Sequence, residues 1–279
     1  MRKITIILFV VVACQTFSYA VFEDWQTGSR ANGMAGAYTG MAYGLDAIRW
    51  NPAGLTGLEG WQAQANVESQ SGGAGWMNET VSLGKNMGRW GGMALAGQKA
   101  GCDWESGQSL TFSNGFSMTD QFSFGYNLNL YRLWQNRLGS AITGGVDVGL
   151  LAQVHRKWRI GCFGRNLNHP TLGVETQYEL PSSISIGLAY EPLSGLVGSV
   201  EASKEPGHTV CYKVGTEFAI KPNVFNLRGG LSSQGREARY SLGTDITAFG
   251  LTAGYAYEGE HQPLPGNHQI GLAYKCGPK

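Results

Sequence analysis

The sequence predicts an all-β protein: a transmembrane antiparallel β-barrel of about fourteen strands with a short N-terminal helical or plug segment. Three observations lead there. Glycine supplies 42 of the 279 residues, about twice its usual share, and long helices avoid glycine because it costs about 1 kcal/mol at an interior position. From residue 60 onward, apolar and polar residues alternate with a period of two, the signature of strands with two unlike faces. No stretch after the leader reaches the roughly 18 consecutive apolar residues of a membrane helix. A bilayer crossing therefore calls for a closed sheet, in which every backbone hydrogen bond is made internally.

Residues 1–20 read as a secretory signal, with Arg2 and Lys3 as the basic start, Ile4 to Ala13 as the apolar run and Ser18-Tyr19-Ala20 as the cleavage site. A loose lipobox ending at Cys14 is the competing reading. Residues 21–59 do not alternate. The run Gly28 to Gly40 is dense in small residues, and Met34, Tyr38, Met41 and Leu45 fall at helical spacing, so a short helix or pair of turns is expected there. Asp46 and Arg49 stand three apart, within reach of one helical turn. Asn51-Pro52 stops any helix, since a residue before proline avoids the α region, and Ala53-Gly54-Leu55 leads into the first strand. Small side chains permit close packing inside a barrel, and Trp25, Tyr38 and Trp50 would gain from burial. Asp46, Arg49, Asn51, Pro52 and Ala53 are the expected plug or gating positions, structural and not chemical in role.

Residues 60–279 form the expected barrel. Strand starts are predicted near Trp61, Thr80, Trp90, Gln108, Phe122, Ala141, Trp158, Ser182, Val197, Thr209, Val224, Ala238, Phe249 and His268. Gly91-Gly92 blurs the alternation of the second and third, which leaves a count of twelve open. The clearest strand is Phe122 to Leu130, apolar on one face and Ser, Gly and Asn on the other. Aromatic residues near segment ends, such as Trp61, Trp90, Trp134, Trp158 and Tyr190, suit an interfacial girdle. A soluble sandwich also alternates, but its outer face would be loaded with Lys and Glu. Glu68, Asp147, Lys213, Glu217, Arg228, Arg239 and Asp245 fall on the polar faces and are expected to point into the lumen, because Lys or Arg on the lipid side at midplane costs about 2 to 4 kcal/mol. There they are expected to pair with one another and with the plug, since a narrow lumen fills with side chains; a polar channel is the alternative.

The charge balance, 21 basic against 20 acidic residues, carries no footprint for nucleic acid. Cys102, Cys162, Cys211 and Cys276 are scattered, without zinc spacing or a readable disulfide pattern. The sequence lacks G-x-S-x-G, H-E-x-x-H, a P-loop and G-x-G-x-x-G, and its five histidines stand apart. Catalysis, a metal and a cofactor are not expected.

The run Gly28-Ser29-Arg30 through Gly33-Met34-Ala35-Gly36-Ala37, followed by Asp46-Ala47 and Trp50-Asn51-Pro52-Ala53-Gly54-Leu55, resembles the N-terminal signature of the PorV/PorQ outer-membrane proteins. That family is related to the FadL-type fatty-acid transporters, which carry a similar Asn-Pro-Ala element. Arg165-Asn166-Leu167, Leu180-Pro181 and the closing segments around Asn226, Tyr240, Ala253 and His268 resemble later strands of the family in order. The resemblance implies a fourteen-stranded barrel in the bacterial outer membrane whose N-terminal segment plugs or lines the lumen. Its implied roles are assistance to secretion or surface attachment, with exported proteins as partners, or alternatively passive transport of hydrophobic molecules such as long-chain fatty acids. Two departures stand out: the chain is short, and its end, Tyr274 to Lys279, lacks the terminal aromatic residue many barrels present for assembly.

Overall fold

The computed structural model describes residues 22, 27–70, 75–260 and 266–276. The leader and Trp25 lie outside the described residues.

Sixteen strands follow a short N-terminal segment. They are β1 (Trp61–Gln70), β2 (Met77–Asn86), β3 (Gly92–Gly101), β4 (Glu105–Ser117), β5 (Phe122–Gln135), β6 (Gly139–His155), β7 (Trp158–Arg165), β8 (Thr171–Leu172), β9 (Tyr178–Glu179) and β10 (Ser183–Leu193). The chain continues with β11 (Leu196–Lys204), β12 (Cys211–Lys221), β13 (Phe225–Gln234), β14 (Glu237–Ala248), β15 (Leu251–Glu260) and β16 (Asn267–Cys276). Fourteen of them close an antiparallel barrel in which each strand pairs with its chain neighbours and β1 pairs with β16, while β8 and β9 form a separate two-stranded hairpin. Each barrel strand starts within three residues of its predicted position. The alternation was a reliable guide because one face meets the outside and the other a packed interior: Leu128 and Leu130 are exposed whereas Asn127 and Asn129, which alternate with them, are buried.

Trp61 pairs with Cys276, so β1 begins and β16 ends at one rim, where residues 87–91, 118–121, 156–157, 194–195, 222–224 and 249–250 make short connections. This rim is the turn end. The opposite rim, the loop end, carries the longest connection, 166–182, which contains the β8–β9 hairpin. Outward aromatics ring the turn end: Trp158 and Tyr190 stack with centroids 4.2 Å apart, Phe116 meets Phe124 at 5.5 Å, and Lys85 lies 4.9 Å above the Trp61 ring.

Residues 27–59 fill the lumen. Two four-residue helices, α1 (Ser29–Asn32) and α2 (Ala47–Trp50), and two 3-10 turns at Gly44–Asp46 and Pro52–Gly57 are joined by irregular chain. Met34, Tyr38 and Met41 therefore lie outside any helix and Leu45 in a 3-10 turn, yet all four are buried. Their spacing reflects burial on every side of a compact plug, not one apolar helix face. The second helix ends where Asn51, extended at φ −174°, precedes Pro52.

Candidate functional site

The lumen wall receives the plug on a belt of glycines. Gly92, Gly115, Gly125 and Gly149 stand directly across from one another on β3 to β6, as do Gly161 and Gly187, Gly215 and Gly230, and Gly254 and Gly271 on neighbouring strands. With Gly84 and Gly243 they place one or more contact glycines on twelve of the fourteen barrel strands. A Cβ at Gly125 would lie 2.3 Å from Ala53 N, at Gly149 2.1 Å from Asn51 Oδ1, at Gly161 2.1 Å from Thr39 O and at Gly215 2.6 Å from Met34 O. A side chain at these positions collides mostly with plug backbone, which cannot swing aside. The two remaining strands reach the plug with long polar groups instead. On β1, Gln64 Nε2 donates to Asp46 Oδ1 at 2.6 Å; on β11, Glu201 Oε2 accepts from the backbone N–H of Tyr38 and Thr39 at 3.1 and 2.9 Å.

The charged residues are gathered on one side. Arg30 in α1 donates to both carboxylate oxygens of Glu217 at 2.7 and 2.8 Å. Arg228 Nε donates to Glu217 at 2.5 Å and its Nη2 to Asp245. Lys213 pairs with Glu201 at 3.1 Å and lies 5.3 Å from the centre of the Trp50 ring. Arg228, Glu217, Asp245, Lys213 and Glu201 are all buried. Buried charges of this kind are tolerated because each finds an opposite charge and charge-assisted hydrogen bonds. Asp147 is held differently, accepting from Asn127 and Asn129 side chains and from the Asn166 N–H at 2.8 to 2.9 Å. Arg239 and Glu258 approach to 3.8 Å near the loop end, and Glu68 accepts from Asn78.

The plug residues singled out from sequence divide their partners. Asp46 is held by β1, whereas Arg49 Nη2 donates to Ser109 on β4 at 3.0 Å, so the two are anchored to different strands. Asn51 Oδ1 accepts from Ala53 N–H, and its Nδ2 donates to Thr39 O within the plug and to Leu150 O on β6. One side chain thus caps the 3-10 turn, ties two plug segments together and fixes both to the wall. Pro52 and Ala53 are buried against Gly125. Arg30 and Glu201 were missed. Glu201 alternates with Ser199 and Ser203 and could have been placed inward by that signal, but Arg30 sits in a small-residue run with no period.

Above the plug, toward the loop end, Phe22, Ala100, Tyr131, Leu133, Leu172 and Leu180 form a second apolar cluster, with Trp76 and Ala141 against it. Between this cluster and the plug lies a cavity of about 20 Å³, lined by Phe22, Ile48, Arg49, Tyr131, Asp147, Arg165, Asn166, Leu180 and Pro181. It holds little more than one water. The wall beside it is discontinuous. β7 is short, and its pairing with β6 begins at Val148 opposite Gly164, so residues 139–147 of β6 have no barrel strand on that side. Loop residues cover the gap: Leu167 N–H donates to Val146 O, and Asn168 accepts from Val146 N–H and donates to Gly144 O.

In the same loop, His169 Nδ1 lies 2.5 Å from Glu179 and 3.3 Å from Ser182 Oγ. Both contacts use one ring nitrogen, whereas a catalytic relay needs the nucleophile and the orienting acid on opposite nitrogens of the histidine. Cys102, Cys162, Cys211 and Cys276 are free thiols.

No family model matches the chain, and no curated protein matches it in sequence. Solved structures do match. The chain is similar to the P. putida toluene transporter TodX (12% identity, TM-score 0.72, covering 92% of this chain and 100% of that one). It is likewise similar to the Ralstonia pickettii toluene transporter TbuX (14%, 0.69, 91% and 100%) and to a Pseudomonas aeruginosa FadL homologue (12%, 0.67, 89% and 98%). At these identities the likeness establishes the architecture: the chain has the closed fourteen-strand fold of the FadL-type barrels.

Proposed function

We propose that this protein is a bacterial outer-membrane channel for hydrophobic molecules that enter at the loop end and leave sideways through the wall while the plug stays seated. A barrel with an apolar outer face and aromatic end bands suits a bilayer, and barrels of that membrane carry short inner turns and longer outer loops, which orients the loop end outward. The observation that carries the reading is the gap beside residues 139–147 of β6, closed by loop 166–182 and adjoining the cavity. A route along the axis meets a plug packed on glycines around the belt; a route through the gap meets side chains and a loop.

The chemistry of the cavity narrows the substrate. The apolar cluster packs above a cavity lined by two guanidinium groups, Arg49 and Arg165, while the one carboxylate there, Asp147, is already engaged by Asn127, Asn129 and Asn166. An amphiphile with an acidic end, such as a long-chain fatty acid, is matched better than a neutral hydrocarbon. The neighbouring structures are two toluene transporters and a FadL homologue, so the secretion or attachment role implied by the PorV/PorQ resemblance draws no support from them.

The test separates the two routes. Thr27 Oγ1 and Thr80 Oγ1 lie 3.1 Å apart, joining the plug to β2. A Thr27→Cys/Thr80→Cys disulfide tethers the plug at its start, as β1 already does at its end. Uptake of labelled fatty acid into proteoliposomes should be unchanged by oxidation, and should fall at least tenfold in Arg49→Gln/Arg165→Gln. Uptake lost on oxidation and restored by reduction would assign an axial route. No uptake by the wild-type protein would remove transport altogether.

A further inference from the structure

Charges on the outer wall are few, and three of them share a row. Cross-strand register aligns Glu79 on β2 with Lys99 on β3, Lys99 with Gln108 on β4, and Gln108 with Arg132 on β5. Glu79, Lys99 and Arg132 are exposed and alternate with buried neighbours such as Thr80, Gln98, Ala100, Tyr131 and Leu133, so the pleat directs them outward. The next row toward the turn end is Val81, Gly97, Leu110 and Leu130, and its three side chains are more than half exposed. The charged row therefore caps an apolar band on the loop-end side. Trp134 lies on the same face two residues beyond Arg132, and Trp104 in the adjoining turn is 70% exposed. Interfacial tryptophans mark headgroup depth, so Lys99 and Arg132 lie at the level of lipid phosphates, within about 5 Å of the aromatic ring of the rim given a rise of about 3.4 Å per residue on a tilted strand.

Two other outward bases on barrel strands are already engaged. Lys204 on β11 donates to His208 O in its own loop, and Lys85 covers Trp61 at the opposite rim. Among the described residues, Lys99 and Arg132 have no side-chain hydrogen bond or ion pair. Two strands apart, about 10 Å at the backbone, their long side chains can converge on one headgroup, with Gln108 between them as a neutral donor. Glu79 leaves the row one net positive charge.

We propose that Lys99, Gln108 and Arg132 form a binding site for the phosphorylated glycolipid of the outer leaflet, its phosphate between the two bases and its acyl chains along Leu110, Leu128 and Leu130. The site rests on the reading that the loop end faces outward across an outer membrane. It also gives the barrel a preferred lipid neighbour on the β2 to β5 flank.

Native mass spectrometry of the detergent-purified protein, titrated with lipid A in the presence of EDTA, tests it. Wild type should retain lipid A and release dephosphorylated lipid A and phosphatidylcholine. Lys99→Gln/Arg132→Gln should weaken lipid A binding on the order of thirtyfold, as expected for two bases near an anionic surface, while Lys204→Gln on the far side leaves it unchanged. Both variants lie on the surface, and unchanged resistance of the folded band to heating on gels verifies the fold. Equal lipid A retention by wild type and the double variant overturns the site, as does equal retention of the dephosphorylated lipid by wild type. Loss of the site with intact fatty-acid uptake leaves the channel reading standing; a wild-type protein that fails to enter lipid vesicles removes both.

Discussion

Both flanks of the plug rest on glycine, but one adds buried ion pairs and the other only neutral wall partners. Toward β11 to β14, Arg30, Glu217, Arg228 and Asp245 form a continuous chain of ion pairs, and Glu201 takes two plug amides and Lys213. Toward β3 to β7, Pro52, Ala53, Asn51 and Thr39 rest on bare glycine, and the hydrogen bonds there, such as Asn127 Nδ2 to Ile48 O, Asn51 Nδ2 to Leu150 O and Arg49 Nη2 to Ser109, join the plug to neutral groups. The first flank depends on electrostatic matching and tolerates little loss of a partner. The second depends on shape and tolerates little gain of volume. The difference teaches how a plug gains a fixed register beyond its chain link to β1: ion pairs favour one orientation, and the glycine seat fits it.

Three substitutions probe the contrast, each read as the temperature at which residues 27–59 become open to protease in detergent. Glu217→Ala should have the largest effect. It leaves buried Arg228 with Asp245 alone and frees Arg30, and removing one member of a buried ion-pair network costs about 3 kcal/mol or more. An equal loss in Arg30→Ala would assign the effect to the plug contact; a much smaller one would place it in the wall. Gly125→Ala should follow at about 2 kcal/mol, the scale of overpacking, because its Cβ would meet Pro52 and Ala53 backbone at 2.3 Å. A neutral result would mean that the plug has slack on that flank. Lys275→Ala should move the transition least, by no more than about 0.5 kcal/mol, since its pair with Glu59 is solvent-exposed at the turn end.

The strands were legible in the sequence because their cause is local: each residue meets either the outer environment or the lumen, and the alternation Phe122 to Leu130 records it directly. The plug was legible in part. Asn51-Pro52 marked a break that does end α2, but its side-chain partner Leu150 lies about a hundred residues away and leaves no mark nearby. The glycine belt was in plain view and misread. Gly91-Gly92 looked like a flaw in the alternation, whereas Gly92 is where Leu55 O approaches to within 2.0 Å of a would-be Cβ. A glycine's reason for being in a strand is whatever presses on it, and that depends on how two distant segments dock. For the same reason the shortness of β7, and the gap it leaves beside Arg165 and Asn166, could not be read from alternation alone.

Glycine weakens a strand interior, since it orders at greater entropic expense and offers no side chain to pack. Gathering so many of them at one height leaves the cylinder with a soft waist that only its insert stiffens. The insert is then a mandrel: it fills the waist of a cylinder that β1 and β16 close, and cylinder and insert depend on each other for their shape.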